Sequence, residues 1–170
     1  MNRNRIPLAT TGLFVAWMVH DLEELLTMSD TSRTLLPQLP DWIPMPDSIR
    51  QQGLTTRYLA TGIATIGLIV AAAAVRGYGT QGRSAFYQNT LLAFGLHGLG
   101  HIAASLLTWG CYTSGVVTAP MVVVFWRWAT RALEEAGVTN RRSLPAAIAL
   151  LVGSLAVGHF TAYLLTGNQP

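Results

Sequence analysis

This sequence predicts an all-α bundle of five transmembrane helices with the N-terminus in the cytoplasm. Three observations carry that expectation. Only 11% of the 170 residues are charged while 51% are hydrophobic, whereas a soluble domain carries about 25% charged residues. Five apolar segments can each supply the roughly 20 residues needed to cross a bilayer. The arginines alternate from one connection to the next, as the positive-inside rule requires. Mean hydropathy is +0.37, and residues 1–170 read as one transmembrane domain.

Segment one runs from about Pro7 to Met28, with Pro7 suited to a first helical turn. It carries Glu and His and has no clear small-residue cleavage site, so it reads as a retained helix and not a signal peptide. The connection Ser29–Gly53 contains Pro37, Pro40, Pro44 and Pro46, which exclude a regular helix through its middle. Leu35, Leu36, Trp42, Ile43 and Met45 lie between the prolines, so an ordered extracytoplasmic loop on the bilayer surface is expected. It would act as an anchor or as a lid over a site. Segment two runs from Leu54 to Val75, segment three from Phe86 to Trp109 and segment five from Leu144 to Thr166. Segment four, Gly115 to Arg131, is the weakest, because Arg127 and Arg131 interrupt its end and must snorkel to the interface. Gly95, Gly98 and Gly100 in segment three permit close helix approach, and helix packing alone accounts for them.

All eleven basic residues are arginine. Arg3 and Arg5 precede segment one, Arg76 and Arg83 join segments two and three, and Arg127, Arg131, Arg141 and Arg142 lie between four and five. Those regions are assigned to the cytoplasm. On the other side Asp30, Asp41 and Asp47 offset Arg33, Arg50 and Arg57. The net charge of +3 does not indicate nucleic acid, since no basic patch interleaved with aromatic residues accompanies it. Cys111 is the single cysteine and supports neither an internal disulfide nor a Cys-pair metal motif; it reads as a packed or interfacial thiol.

The chemistry is concentrated in a few ionisable residues at membrane depth, where charge is costly and usually marks a site. Segment one reads His20-Asp21-Leu22-Glu23-Glu24. On a helix Glu23 falls about 60° to one side of His20 and Glu24 about 40° to the other, with Asp21 at the edge of that face. His97 and His101 are four apart and stack on one face of segment three. Residue 98 is Gly, so any catalytic carboxylate must come from another helix. In the assigned topology these residues, together with His159, occupy one layer in the outer half of the membrane. Histidines with carboxylates at one depth suggest one or two divalent metal ions. Zn, Fe and Mn all accept such mixed ligands, held by His20, Glu23, Glu24, His97, His101 and His159. A proton relay without metal is the competing account. Asp21 would orient a ligand or face water. Arg57 would neutralise a carboxylate, hold an anionic headgroup or snorkel. Asn89, about two turns below His97, favours a structural bond, and Tyr112 would orient a substrate or belong to the aromatic belt.

His20-Asp21-Leu22-Glu23-Glu24 resembles the signature of the HXXEE-motif family of small bacterial membrane proteins. So do Asn89, the pair His97 and His101, and the run Tyr112-Thr113-Ser114-Gly115-Val116-Val117-Thr118. Members commonly have proline where this chain has Ser114, a departure that bears on the turn and not on the expected ligands. The resemblance spans most of segments one to four. It implies a multi-pass protein of the bacterial cytoplasmic membrane and strengthens the site, but hardly constrains the reaction.

The functional expectation is an intramembrane metal-dependent enzyme, foremost a hydrolase of an amphiphilic or lipid-like substrate near the outer leaflet. Glu23 and Glu24 would divide the roles of ligand and base. A di-iron oxidase or hydroxylase and a metal or proton transporter are the alternatives. The expected partner is a membrane lipid or amphiphilic small molecule; the oligomeric state is left open.

Overall fold

A computed structural model of the chain describes residues 5–43, 45–109 and 112–167. The readings of Arg3, Pro44 and Cys111 lie outside those residues. The described chain is all-helical: α1 Arg5–Leu35, a 3₁₀ turn Leu36–Gln38, α2 Asp47–Gln52, α3 Thr56–Gly79, α4 Ala85–Leu107, α5 Ala119–Glu135 and α6 Leu144–Thr166.

Local chemistry explains most boundaries. Thr55 and Ser84 cap α3 and α4, their hydroxyls accepting from the Tyr58 and Tyr87 amides. Prolines stand in the first turns of α5 and α6, where the missing N–H costs nothing. The largest departure from expectation is α1, which runs seven residues past Met28, through Ser29–Leu35. It stops only where Pro37 can no longer continue an α-helix. Apolarity ends at Met28, but helical backbone needs no apolar residues once it leaves the bundle. The expected loop is therefore partly helix. The remainder is ordered around Arg50, whose guanidinium donates to the Leu39 and Ile43 carbonyls at 2.7 and 2.9 Å. Ser32 ties it back to α1 by accepting from the Leu54 amide at 2.8 Å.

α1 packs on α3 and α5, α6 packs on α3 and α4, and α4 also packs on α5. The core between them contains Leu13, Trp17, Val70, Tyr87, Leu91, Phe94 and Val122. Close approach depends on missing side chains. A Cβ on Gly67 would lie 2.5 Å from Trp17, and one on Gly95 would lie 2.3 Å from Trp126. Gly98 likewise abuts Val122, whereas Gly100 faces open space. Two of the three glycines near the helix-four histidines thus serve helix packing.

Among the described residues three helices, α3, α4 and α6, are long and apolar enough to cross a membrane. In α1 the polar motif lowers the hydropathy, and α5 has only 17 residues. Both nevertheless turn apolar side chains outward: Leu8, Val15, Met18, Val19, Leu22 and Leu26 on α1 and Val124 on α5 are exposed.

At the end of the bundle where Arg5 meets Glu135 at 3.2 Å, two buried amides staple the α5–α6 connection. Asn89 accepts from the Ser143 amide at 2.8 Å and donates to the Arg141 carbonyl at 3.2 Å. Gln88 accepts from the Arg141 amide at 2.7 Å and donates to the Gly82 and Thr139 carbonyls. These bonds fit the structural role favoured for Asn89.

Candidate metal centre

His20 and Glu24 are one helical turn apart on α1, and His97 and His101 one turn apart on α4. All four project into the same interior space. One ligand atom from each lies within 4.8 Å of every other. His101 Nε2 is 3.0 Å from Glu24 Oε1 and 3.0 Å from His97 Nε2, and His97 Nε2 is 3.8 Å from Glu24 Oε1. His20 is fully buried and Glu24 is 5% exposed.

The hydrogen bonds behind these rings fix their protons. His101 Nδ1 is 2.6 Å from the Ser114 carbonyl. A carbonyl only accepts, so Nδ1 carries the proton and the Nε2 of a neutral ring is bare. His20 Nδ1 is 2.7 Å from Thr118 Oγ1. That hydroxyl donates to Glu23 Oε2 at 2.7 Å, so it receives the Nδ1 proton of His20 and leaves His20 Nε2 bare as well. Two nitrogen lone pairs and a carboxylate oxygen then converge, and neither His20 Nε2 nor Glu24 Oε1 has a hydrogen-bond partner. Acceptors gathered this closely in a buried site repel unless a proton or a metal ion is shared among them. A metal ligand typically donates its second ring nitrogen to a carbonyl or carboxylate system, and both rings do so.

The turn 112–118 supplies that outer layer. Glu23 is not placed at the centre. Its carboxylate accepts from the Tyr112 hydroxyl at 2.9 Å, the Val117 amide at 3.2 Å, and the Thr118 amide and hydroxyl at 2.8 and 2.7 Å. Four donors satisfy it where it stands. Partial burial and the neighbouring Glu23 carboxylate hold the Tyr112 phenol above its ordinary range, so it stays a donor. Thr27 and Ser114 hydroxyls meet at 2.8 Å, a second tie between α1 and the turn. Gly115 has φ +81°, and a Cβ there would lie 2.7 Å from His101 and 3.0 Å from His20. Only glycine combines that left-handed backbone with that proximity.

The other expected residues lie elsewhere. His159, on α6, is exposed and takes a hydrogen bond with the Tyr58 hydroxyl at 3.0 Å; it is outside the four-residue cluster because α6 packs on α3 and α4, across the bundle from His20. Arg57 is exposed at the start of α3, and its position gives it no part in the cluster. Asp21 is 5% exposed, and its Oδ2 has no hydrogen-bond partner. It lines a cavity of about 120 Å³ shared with Glu24, His97, Tyr58 and His159. The cavity's other walls are mainly apolar residues of α1, α3, α4 and α6, with Thr90 and Ser154 among them. Sequence reasoning missed Thr118, Ser114, Gly115 and Tyr58 as site residues. The first three stand in the run that carried the family resemblance, but a lone hydroxyl, a carbonyl and a glycine carry no chemical signal until a partner is placed.

Fold and site together define an all-helical protein with three helices suited to a membrane and a buried histidine–carboxylate cluster that could hold a metal ion. The chain belongs to the family described as proteins of unknown function with an HXXEE motif, whose signature matches residues 11–130. That range contains the whole cluster and the turn 112–118. No curated protein and no solved structure matches the chain.

Proposed function

We propose that this protein is a five-span, zinc-dependent intramembrane hydrolase acting on an amphiphilic substrate near the outer leaflet of a bacterial cytoplasmic membrane. The observation that carries the reading is the convergence of bare imidazole nitrogens and a carboxylate beside an apolar cavity. Five spans with a cytoplasmic N-terminus accommodate the alternating arginines and the outward apolar stripe of α1, whose 31 residues extend about 46 Å.

Three imidazoles, His20, His97 and His101, would hold one ion and leave a tetrahedral position for water or substrate. A bound zinc ion would supply Lewis acidity and ease the loss of a proton from water. Glu24 stands beside that position and would take the proton. Water adds to the acyl carbonyl, the bond from the carbonyl carbon to the leaving oxygen or nitrogen breaks, and Glu24 returns the proton to the leaving group. Asp21 would contact the substrate from the cavity wall. Three imidazoles and one carboxylate suit one ion better than two, since Glu23 and His159 stand outside the cluster, and this weighs against a di-iron oxidase. The stapled connection beneath Asn89 and Gln88 fits a pocket reached from one side and weighs against a transporter.

Metal analysis of the detergent-purified protein tests the reading. Wild type should carry about one zinc per chain, and His101→Ala should lose it while remaining inserted. Glu24→Gln should keep the zinc and lose hydrolysis of long-chain p-nitrophenyl esters. Equal, substoichiometric metal in wild type and His101→Ala would reject the ligand assignment.

A further inference from the structure

The cavity beside the cluster has a polar end and an apolar length. At the polar end Asp21, Glu24 and His97 line it together with Tyr58 and His159. From there the walls continue over Ile63, Ile66 and Ile69 on α3 and Leu150, Leu151 and Leu155 on α6. Tyr58 and Ile69 are about 16 Å apart along α3 at the usual helical rise. α3 and α6 approach closely along this wall, where a Cβ on Gly158 would lie 3.1 Å from Ile66 and 3.2 Å from the Gly62 carbonyl.

The opening is marked by exposure. His159 is exposed, and Leu155 is 39% exposed on the same helix. Beside it lies Asp21 with its unpartnered Oδ2, although the residue is only 5% exposed. A buried carboxyl oxygen left without a partner is costly and would be satisfied by a hydroxyl or amide N–H of a bound head group. The Tyr58 hydroxyl and His159 ring offer a second polar contact.

We infer that the substrate is an acyl ester or amide whose head group bears a hydroxyl or N–H donor. Its head sits between Asp21 and the Tyr58–His159 pair, its carbonyl lies at the level of Glu24 and His97, and its chain extends along the α3–α6 wall. The inference rests on the hydrolase reading given above, but its test does not require turnover.

Trp17 also lines the cavity, about 10 Å below Glu24 along α1, and can report on a bound chain. The probe is the N-(2-hydroxyethyl)amide of ω-bromododecanoic acid, whose terminal bromine quenches nearby indole fluorescence. It is titrated into the protein in phosphatidylcholine nanodiscs. Wild type should show a saturable quenching component that Trp17→Phe lacks. Tyr58→Phe and His159→Ala should weaken it several-fold, and Ser154→Phe, which fills the α6 wall, should abolish it while leaving the zinc content of wild type. Zinc-free His101→Ala should retain the saturable component, so that failure of the metal reading and failure of this inference are separable. Linear, unsaturable quenching that is the same in wild type and Trp17→Phe would overturn the inference, whether or not zinc is bound.

Discussion

Thr118→Val removes one hydroxyl and leaves the side-chain volume nearly unchanged, so it isolates the proton arrangement that prepares His20 for a cation. In the native site the Thr118 hydroxyl donates to Glu23 Oε2 at 2.7 Å and accepts from His20 Nδ1 at 2.7 Å. Valine can do neither. The Thr118 amide still donates to Glu23 at 2.8 Å, and Tyr112 and Val117 still hold the other oxygen, so the turn should stay closed. The loss falls on His20, which is fully buried. With a cation on Nε2, its Nδ1–H would be left unpaired, a penalty of about 1–3 kcal/mol. Without the cation the ring can take its other tautomer, with the proton on Nε2, where the ligand atoms of Glu24, His97 and His101 lie within 4.8 Å. The penalty therefore belongs to the loaded state and should appear as affinity. At about 1.4 kcal/mol per factor of ten it corresponds to a loss of roughly 5- to 150-fold, in line with the 10- to 100-fold cost typical of such outer contacts. Competition for zinc between purified protein and a chromophoric chelator measures it directly. Thr118→Ser, which keeps the hydroxyl, should restore most of the affinity. A Thr118→Val affinity within about twofold of wild type would refute the tautomer argument and the ligand role of His20 with it.

Gly115→Ala should be more damaging than its size suggests. It adds a Cβ 2.7 Å from His101 at a residue with φ +81°, and zinc affinity should fall by at least about tenfold; the same chelator competition reads the change. His159→Ala should leave metal stoichiometry at the wild-type value, since that ring pairs with Tyr58 and not with the cluster; metal analysis showing a loss would place it among the ligands after all. Asn89→Leu removes the acceptor for the Ser143 amide and the donor to the Arg141 carbonyl. Thermal unfolding in detergent should show a loss of about 2–4 kcal/mol with zinc content unchanged. A drop in zinc at unchanged melting temperature would assign Asn89 to the site instead.

The helical character and much of the site were readable because they depend on periodicity. Segment five was expected at Leu144–Thr166 and is found there, where apolar sequence, a first-turn proline and a following glycine agree. The start of segment four was misplaced: residues 115–118 are turn, and α5 begins at Ala119. Apolar Val116 and Val117 extended the hydropathy pattern into residues whose backbone instead wraps the site. The end of α1 was misplaced because hydropathy reports where a chain leaves an apolar phase and says nothing about where a helix stops. For the site, angular spacing put His20 with Glu24 and His97 with His101. It could not show that His159 would pair with Tyr58, because α3–α6 contact is long-range and a lone tyrosine gives no warning of it.

The adjacent pair Glu23 and Glu24 shows why two carboxylates stand side by side in the motif. Placed about 60° and 40° to opposite sides of His20, they cannot both address the same centre while His20 does. Glu24, a full turn on, shares the inward direction of His20 and reaches His101 at 3.0 Å. Glu23 falls on the flank that meets the turn 112–118 and is consumed by four donors there. Through Thr118 it returns to the back of His20. The outer carboxylate thereby sets the proton on the ring whose other nitrogen faces the inner carboxylate. On the proposed metal-centre reading, the spacing from histidine to the two glutamates would serve both faces of one ligand system within about one helical turn, and exchanging either glutamate for glutamine should disable a different half of it: Glu24→Gln the proposed reaction, Glu23→Gln the affinity for the ion.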